Sequence, residues 1–219
     1  MKRLKILIII GHGGNDVGAV GNGLREVDCN YQIAWSMYNF MKPYADIYIE
    51  SNNLPLGDEV GLVNSGKYDL VISIHNNAGG GNGWEGYHYR ADQKGIAWLK
   101  AIESEVVKLG QQSRGIKDGS GLRIINSVRP TSILLEGFFL DNKDDMKDFD
   151  EKWEQERLGQ AYAKGTLNYL GINYTSTPTP SPSGKMYRVI TGSFKERKNA
   201  ENRLQELKNK GFDSFIEVK

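Results

Sequence analysis

Short apolar segments alternate along this chain with amphipathic helical patterns, and this alternation leaves few folds open. The apolar segments are rich in β-branched and aromatic residues and are bounded by Gly, Asn or Pro, as is typical of β-strands. Several of them are apolar without interruption, which indicates strands that are covered on both faces of a sheet. The predicted strands are residues 5–10, 45–50, 68–74, 84–90 and 131–139.

Between these strands, apolar residues recur at intervals of three and four, as they do along one face of an α-helix. Residues 25–41, 94–110 and 148–171 follow this pattern, and the last two segments end at Gly110 and Gly171. Alternating strands and helices predict an α/β fold, here a mostly parallel twisted sheet that is flanked by helices.

A stretch rich in proline, serine and threonine, residues 174–184, separates the α/β region from a short tail. Such a composition does not pack a core and favours an extended spacer. The sequence therefore predicts a main domain over residues 1–173 and a C-terminal module over residues 185–219. The module is too short for a strong core of its own.

The composition argues against several classes of protein. The 219 residues carry 28 Lys and Arg against 27 Asp and Glu, so the net charge of +1 gives no sign of a nucleic-acid partner. No apolar run approaches the roughly 18 residues of a membrane span. Residues 6–10 form a run that is shorter than the roughly 7–15 residues of a signal-peptide core. We therefore expect synthesis in the cytoplasm without a signal peptide.

Two of the three histidines follow predicted core strands closely. His12 follows the strand 5–10 after one intervening glycine, and His75 comes directly after the strand 68–74. Because the carboxyl ends of parallel strands form the sheet edge where α/β proteins place their sites, we expect both imidazoles to face one cleft. The third, His88, lies in an alternating strand and is expected to be structural or to line that cleft.

Two glutamates complete the candidate site. Glu26 follows a glycine-rich loop and lies on the first turn of a predicted helix, where an acid is also favoured simply by the helix dipole. Glu136 interrupts a strongly apolar strand near its end. A carboxylate there needs a hydrogen-bond network, a metal or a cation as its partner. The alternative to a role in the site is therefore a structural glutamate that forms a salt bridge in the core.

Two histidines, one carboxylate and an open position are typical of a catalytic zinc site. The same donors also fit the non-haem iron of an oxygenase. The additional glutamate favours hydrolysis, because a metal-activated water needs a base to take its proton.

Five blocks of this sequence, IIIGHGGND, LREVDCN, ISIHNNAG, WEGYHY and PTSILLEGFFLDNKDD, resemble the zinc-dependent N-acetylmuramoyl-L-alanine amidases of the Amidase_3 group. These are bacterial and phage cell-wall hydrolases, and the resemblance covers about residues 4–172 with all blocks in family order. It implies that the chain cleaves the amide between N-acetylmuramic acid and L-alanine with Zn²⁺-activated water. By position it implies His12, Glu26 and His75 as zinc ligands, Glu136 as the catalytic glutamate, and Asn76 and Asn142 as residues that shape the substrate cleft.

The tail resembles half of a SPOR-type peptidoglycan-binding domain. Its helix, RKNAENRLQELKNKG, lies between the predicted strands YRVITGSF and FDSFIEV and carries an apolar stripe of Ala200, Leu204 and Leu207. A complete domain of this type has two such β-α-β units, so we expect two tails to pair in a homodimer. The implied partner is peptidoglycan, with neither a nucleic acid nor a membrane.

Two other functions fit the same residues. One is a zinc carboxypeptidase or endopeptidase that acts on the stem peptide, and the other is a non-catalytic cell-wall-binding protein. The expected lack of an export signal fits two settings, a phage endolysin that a holin releases and a sporulation enzyme that mother-cell lysis releases.

Overall fold

The apolar strands predicted from the sequence form one sheet in the structure, a computed structural model that describes residues 3–50, 56–175, 192 and 194–210. The chain divides into two units, residues 1–176 and 177–219. The strands of the first unit are β1 (Lys5–Ile10), β2 (Val20–Gly21), β3 (Leu24–Arg25), β4 (Asp46–Glu50), β5 (Leu70–Asn77), β6 (Trp84–His88), β7 (Ser113–Asp118) and β8 (Thr131–Phe139). Its helices are α1 (Glu26–Met41), α2 (Leu56–Ser65), α3 (Gln93–Val107), α4 (Arg123–Asn126), α5 (Met146–Phe149) and α6 (Lys152–Tyr169).

Six strands form the main sheet in the order β4-β1-β5-β8-β6-β7. All neighbouring pairs are parallel except β6 and β8, which run antiparallel. The sheet is therefore mostly parallel and flanked by helices, which confirms the predicted fold class. The short strands β2 and β3 form a separate antiparallel pair in the loop between β1 and α1.

Side chains from alternating strand positions pack on opposite faces of the sheet. The larger core lies on the face that α1, α3 and α6 cover, and it includes Ile8, Ile72, Leu135, Ile33 and Leu158. The smaller core lies on the other face, under α2 and α4, and it includes Leu7, Val71, Leu134, Val63 and Ile124.

On the face of the smaller core, α4 packs near the start of β8 and not at its carboxyl end. The hydroxyl of Ser132 donates to the carbonyl of Ile124 over 2.8 Å, which holds α4 beside the start of β8. His75 and Glu136 lie farther along their strands, on the same face of the sheet as Val71 and Leu134. This end of the sheet is therefore available for a site.

One predicted helix is divided in the structure. The segment 148–171 forms two helices, α5 and α6, which are separated at residues 150 and 151. Glu151 and Glu154 form a reciprocal capping box, in which each side chain accepts a hydrogen bond from the backbone N–H of the other residue. Because this box satisfies backbone donors at the start of α6, it fixes Lys152 as the first residue of that helix.

In the second unit the structure describes one helix, α7 (Arg197–Asn209). The predicted stripe of Ala200, Leu204 and Leu207 lies on it, and all three side chains are half-buried. The two predicted tail strands fall almost entirely outside the described residues. None of the described helices is both long enough and apolar enough to cross a membrane.

Candidate metal centre

The structure brings His12, Glu26 and His75 together from three separate elements. Each residue offers one ligating atom, and these atoms all lie within 4.8 Å of one another. His12 follows β1, Glu26 is the first residue of α1, and His75 lies near the end of β5. The imidazole centroids are 5.1 Å apart with the rings edge to face. The convergence that the strand-end positions indicated is therefore present.

The ring of His12 is oriented by the loop that follows it. Its backbone φ is +64°, a left-handed value that is uncommon outside glycine and that recurs at functional sites. Its Nδ1 lies 2.8 Å from Oδ2 of Asp16, while its Nε2 lies 3.1 Å from Oε2 of Glu26. Asp16 is itself held by the backbone N–H of Gly18, which donates to its Oδ1 over 3.0 Å.

The carboxylate of Glu26 is buried at the centre of the cluster and is 4% exposed. Its Oε2 accepts from the backbone N–H of Ala19 over 2.9 Å, and its Oε1 accepts from that of Asn76 over 3.1 Å. Nδ1 of His75 also lies 3.1 Å from Oε1. Burial opposes ionisation, but the hydrogen bonds from the two imidazoles outweigh it and hold the pKa of Glu26 well below its usual range.

The protonation of His12 follows from the same contacts. Its hydrogen bond to Glu26 raises its pKa to about 9, with a further contribution from Asp16 and against the effect of burial. Both ring nitrogens of His12 thus face carboxylates, and the raised pKa favours a protonated ring at neutral pH, with the proton of Nε2 facing Glu26. A divalent cation there would replace that proton as the positive charge.

The donor set fits zinc. Two imidazole nitrogens and one ionised carboxylate are the ligand types of catalytic zinc sites, and the Asp16–His12 contact matches the second carboxylate that usually orients a metal-binding histidine. The ring of His75 packs directly against the backbone of Gly11. A Cβ atom on Gly11 would lie 2.3 Å from Cε1 of His75, so only glycine fits beside this imidazole.

Glu136 lies next to this cluster on β8. The sheet register pairs it with His75 of β5 on one side and with Glu85 of β6 on the other. Among the described residues, its Oε2 is buried and has no hydrogen-bond partner. Burial raises the pKa of Glu136 to about 8, with additional contributions from the charges of Glu26 and Glu85. With no metal in the cluster, the pKa of Glu136 is therefore well above that of an ordinary carboxyl group.

The other sequence-predicted residues lie around the cluster. Asn76 is only 2% exposed, and its side-chain amide donates to Oδ1 of Asn30 over 2.8 Å, so it lies beneath the cluster. Asn142 accepts from the amide of Asn82 over 3.2 Å and therefore connects the glycine-rich loop 79–83 to the segment after β8. His88 lies three residues from Glu85 along β6, and its Nδ1 contacts the carbonyl of Tyr89 at 2.8 Å.

Sequence reasoning missed three groups of residues at this site. Asp16 lies four residues after His12 in the same glycine-rich loop, and this spacing was the available signal. Asn30 lies one helical turn after Glu26 and donates to the carbonyl of Gly11 over 2.9 Å. The third group is formed by Glu85 and the cations that contact it, Arg114 and Lys117.

Comparisons with known proteins agree with this architecture. The family profile of N-acetylmuramoyl-L-alanine amidases matches residues 6–168, and that of the SPOR domain matches residues 160–216. The chain is 28% identical to a sporulation-specific N-acetylmuramoyl-L-alanine amidase of Bacillus subtilis, over 99% of this chain and 85% of the relative. It is 27% identical to an endolysin of Bacillus phage SPP1, over 76% of this chain and 66% of the relative.

A solved structure shows the same fold. The crystal structure of an N-acetylmuramoyl-L-alanine amidase from Clostridium difficile 630 superposes with a TM-score of 0.70 at 26% identity and covers 78% of this chain and 98% of that one. The first profile covers residues of all six strands of the main sheet and the three clustered residues. The chain therefore belongs to the N-acetylmuramoyl-L-alanine amidase family and is a peptidoglycan hydrolase with a SPOR domain.

Proposed function

We propose that the enzyme cleaves the amide between N-acetylmuramic acid and L-alanine at a Zn²⁺ ion held by His12, Glu26 and His75, with Glu136 as the catalytic residue. The observation that carries this proposal is the convergence of three metal-ligating residues within 4.8 Å, beside the carboxyl group of Glu136, whose Oε2 is buried and has no hydrogen-bond partner among the described residues. When bound, zinc would polarise the scissile carbonyl and lower the pKa of a water molecule toward about 7.

Glu136 supplies the proton transfers in this proposal. Its unpaired Oε2 takes a proton from the attacking water and then delivers it to the nitrogen of the departing L-alanine. Burial raises the pKa of this carboxyl group, and a raised pKa favours a group that acts first as a base and then as an acid. Its place in register with His75 keeps it within one strand spacing of the cluster.

The surrounding residues keep the site rigid. Asp16 fixes the ring of His12, and Asn76 and Ala19 hold the carboxylate of Glu26 through their backbone N–H groups. In the glycine-rich loop 79–83, the backbone N–H groups of Gly79 and Gly80 both donate to Oδ2 of Asp141, over 2.8 and 2.9 Å. This loop carries little side-chain bulk, which leaves room for a polymeric substrate.

The test separates the metal ligands from the catalytic carboxylate. Glu136→Gln is expected to keep bound zinc and lose hydrolysis of a soluble muramoyl-L-alanine peptide, whereas His75→Ala is expected to lose both. Glu105→Gln on α3, whose side chain pairs with Lys108, is the matched control and is expected to keep both. Normal turnover by Glu136→Gln would contradict the proposed role of Glu136.

Product analysis tests the bond that is cleaved. The proposed reaction leaves glycan without peptide and a new amino terminus on L-alanine, which mass spectrometry and amine labelling both detect. A stem-peptide carboxypeptidase or endopeptidase would leave the muramoyl–alanine bond intact. A purely wall-binding protein would release neither product.

For the second unit, we propose that it binds peptidoglycan and pairs with a second copy. The SPOR profile supports the first part, and the half-buried stripe of Ala200, Leu204 and Leu207 on α7 supports the second. Light scattering on the full chain is expected to give the mass of a dimer. The variant Leu204→Lys is expected to give the mass of a monomer. A monomeric mass for the unaltered chain at high concentration would contradict the pairing.

The proposed place of action is the cell wall, in sporulation or in phage-induced lysis. Two relatives, which are named as a sporulation-specific amidase and a phage endolysin, support these two settings. Expression timing tests them, since a sporulation enzyme is made during spore formation and a phage enzyme is made after infection or prophage induction.

A further inference from the structure

A row of acidic and imidazole side chains crosses the sheet at the level of Glu136. Register pairs Glu136 with His75 of β5 and with Glu85 of β6, and directly paired residues point to the same face. The three-residue cluster therefore lies on one side of Glu136, and Glu85 lies on the other. The residues around Glu85 therefore form the side of the reaction site that lies across Glu136 from the metal-ligand cluster.

Glu85 holds two cations from the edge strand β7. The residue is 2% exposed, and its Oε1 accepts from Nε of Arg114 and from Nζ of Lys117, each over 2.5 Å. Its Oε2 accepts from the hydroxyl of Tyr87, also over 2.5 Å. One buried carboxylate facing two cations leaves an excess positive charge on this flank.

Both cations are accessible to a ligand. The side chain of Arg114 is 38% exposed and that of Lys117 is 36% exposed. Within the described part of the chain, Arg114 donates only through Nε, to Glu85, so its two terminal nitrogens have no hydrogen-bond partner. The guanidinium carbon lies 5.2 Å from the ring centroid of Phe139, and this contact limits the positions that the two terminal nitrogens of Arg114 can take.

The ligand that this arrangement fits is a carboxylate. A guanidinium with free terminal nitrogens, next to an ammonium group, binds carboxylates through charge-assisted hydrogen bonds. In a muramoyl–alanine substrate the lactyl carboxyl group is consumed in the scissile amide, and the N-acetylated sugar ring is uncharged. Carboxylates of the substrate therefore lie only on the peptide, beyond the alanine.

We propose that Arg114 and Lys117 bind a carboxylate of the peptide stem and so place the peptide toward β7, on the side of Glu136 away from His12. This inference rests on the proposed amidase site. Glu85 keeps the two cations in place from beneath, because its own carboxylate is buried and fully used by Tyr87, Arg114 and Lys117.

Two soluble substrates test this proposal. The first is N-acetylmuramoyl-L-alanyl-glutamate with free carboxylates, and the second is the same compound with both carboxylates amidated. Wild-type kcat/KM is expected to be about tenfold higher for the acid, mainly through KM, because a charge-assisted hydrogen bond is lost in the amide. Arg114→Gln and Lys117→Gln are each expected to bring the ratio of the two kcat/KM values toward one.

Arg90→Gln is the matched control. Arg90 is 73% exposed and pairs with Asp118 at 3.5 Å, away from Glu85, so its removal is expected to leave the ratio unchanged. If Arg114→Gln does not fold, the proposal is tested by the ratio of kcat/KM for the acid and the amide in the wild type and in Lys117→Gln. Equal hydrolysis of acid and amide by the wild type would overturn this proposal alone, as would variants that slow both substrates equally. Hydrolysis of neither substrate would overturn the proposed function, and this proposal with it.

Discussion

The Oδ2 atom of Asp16 lies 2.8 Å from Nδ1 of His12, and this contact turns Nε2 of the same ring toward Glu26. Second carboxylates of this kind fix the tautomer of a metal-binding histidine and raise its basicity. We therefore predict that Asp16→Ala weakens zinc binding by about 10- to 100-fold. Competition with a chromophoric chelator measures this affinity directly.

Asp28→Ala is the control for that variant. Asp28 has the same exposed fraction as Asp16, 57%, and pairs with Arg25 on the outside of α1. It is expected to leave the zinc affinity unchanged. Equal affinities for Asp16→Ala and the wild type would show that the loop holds His12 without the carboxylate.

The strands that the sequence predicted best are those with both faces buried. In β1, β5 and β8 most residues are buried, so a mostly apolar run was a sufficient signal. Strand β7 was missed because it lies at the sheet edge and reads SRGIKD, which has no such run. Helix α2 was missed because Gly57 and Gly61 lower its helix propensity.

The candidate site was predictable where local sequence carried the signal. His12 and His75 were found from strand ends, and Glu136 from its interruption of an apolar run. Glu85 and Arg114 are 29 residues apart, and their contact exists only because β6 and β7 pair in the folded sheet. Neither residue stands in a pattern that distinguishes it from an ordinary surface charge, so their association required the structure.

The pH dependence of hydrolysis is expected to respond to Glu85. Glu136 must be ionised to accept a proton, so kcat/KM rises as the pH passes through its pKa. Burial and the charge of Glu26 raise that pKa, and the charge of Glu85 raises it further. Glu85→Gln removes the last contribution, and we predict that the acidic limb of the kcat/KM profile moves to lower pH.

This profile is measured on the zinc-loaded enzyme with the amidated muramoyl dipeptide, so that carboxylate binding does not contribute. Glu105→Gln serves as the control, since its carboxylate pairs with Lys108 on α3, and its limb is expected to coincide with that of the wild type. An acidic limb that stays in place in Glu85→Gln would contradict the coupling between Glu85 and Glu136.

Glu136 is expected to lower the stability of the metal-free fold at alkaline pH. Its folded pKa is about 8 against an ordinary value of 4.5, so between these values the folded chain holds a proton that the unfolded chain has released. The free energy of unfolding therefore falls as the pH rises through this range, by up to ~1.4 kcal/mol per pH unit. Above pH 8 the loss is complete.

We accordingly predict that Glu136→Gln stabilises the chelator-treated protein by a few kcal/mol at pH 9 and has little effect at pH 4.5. Urea unfolding at the two pH values measures the difference. A stabilisation of equal size at both values would show that the effect comes from packing and not from the buried charge.

The packing of α6 against α1 depends on Gly159. A Cβ atom at this position would lie 2.2 Å from the carbonyl oxygen of Ile33 and 2.9 Å from Cβ of Ser36. Both neighbours belong to α1, and a backbone oxygen does not move aside without shifting the helix. We predict that Gly159→Ala lowers the free energy of unfolding by about 1–3 kcal/mol, the usual range for an overpacked core.

Gly61→Ala in α2 is the matched change, because a Cβ there meets nothing within 4 Å. Alanine also loses less backbone entropy than glycine on folding, so Gly61→Ala is expected to stabilise the protein by about 0.5–1 kcal/mol. Opposite signs for these two variants in urea unfolding would establish that the α1–α6 contact requires a residue without a side chain, and equal signs would exclude it.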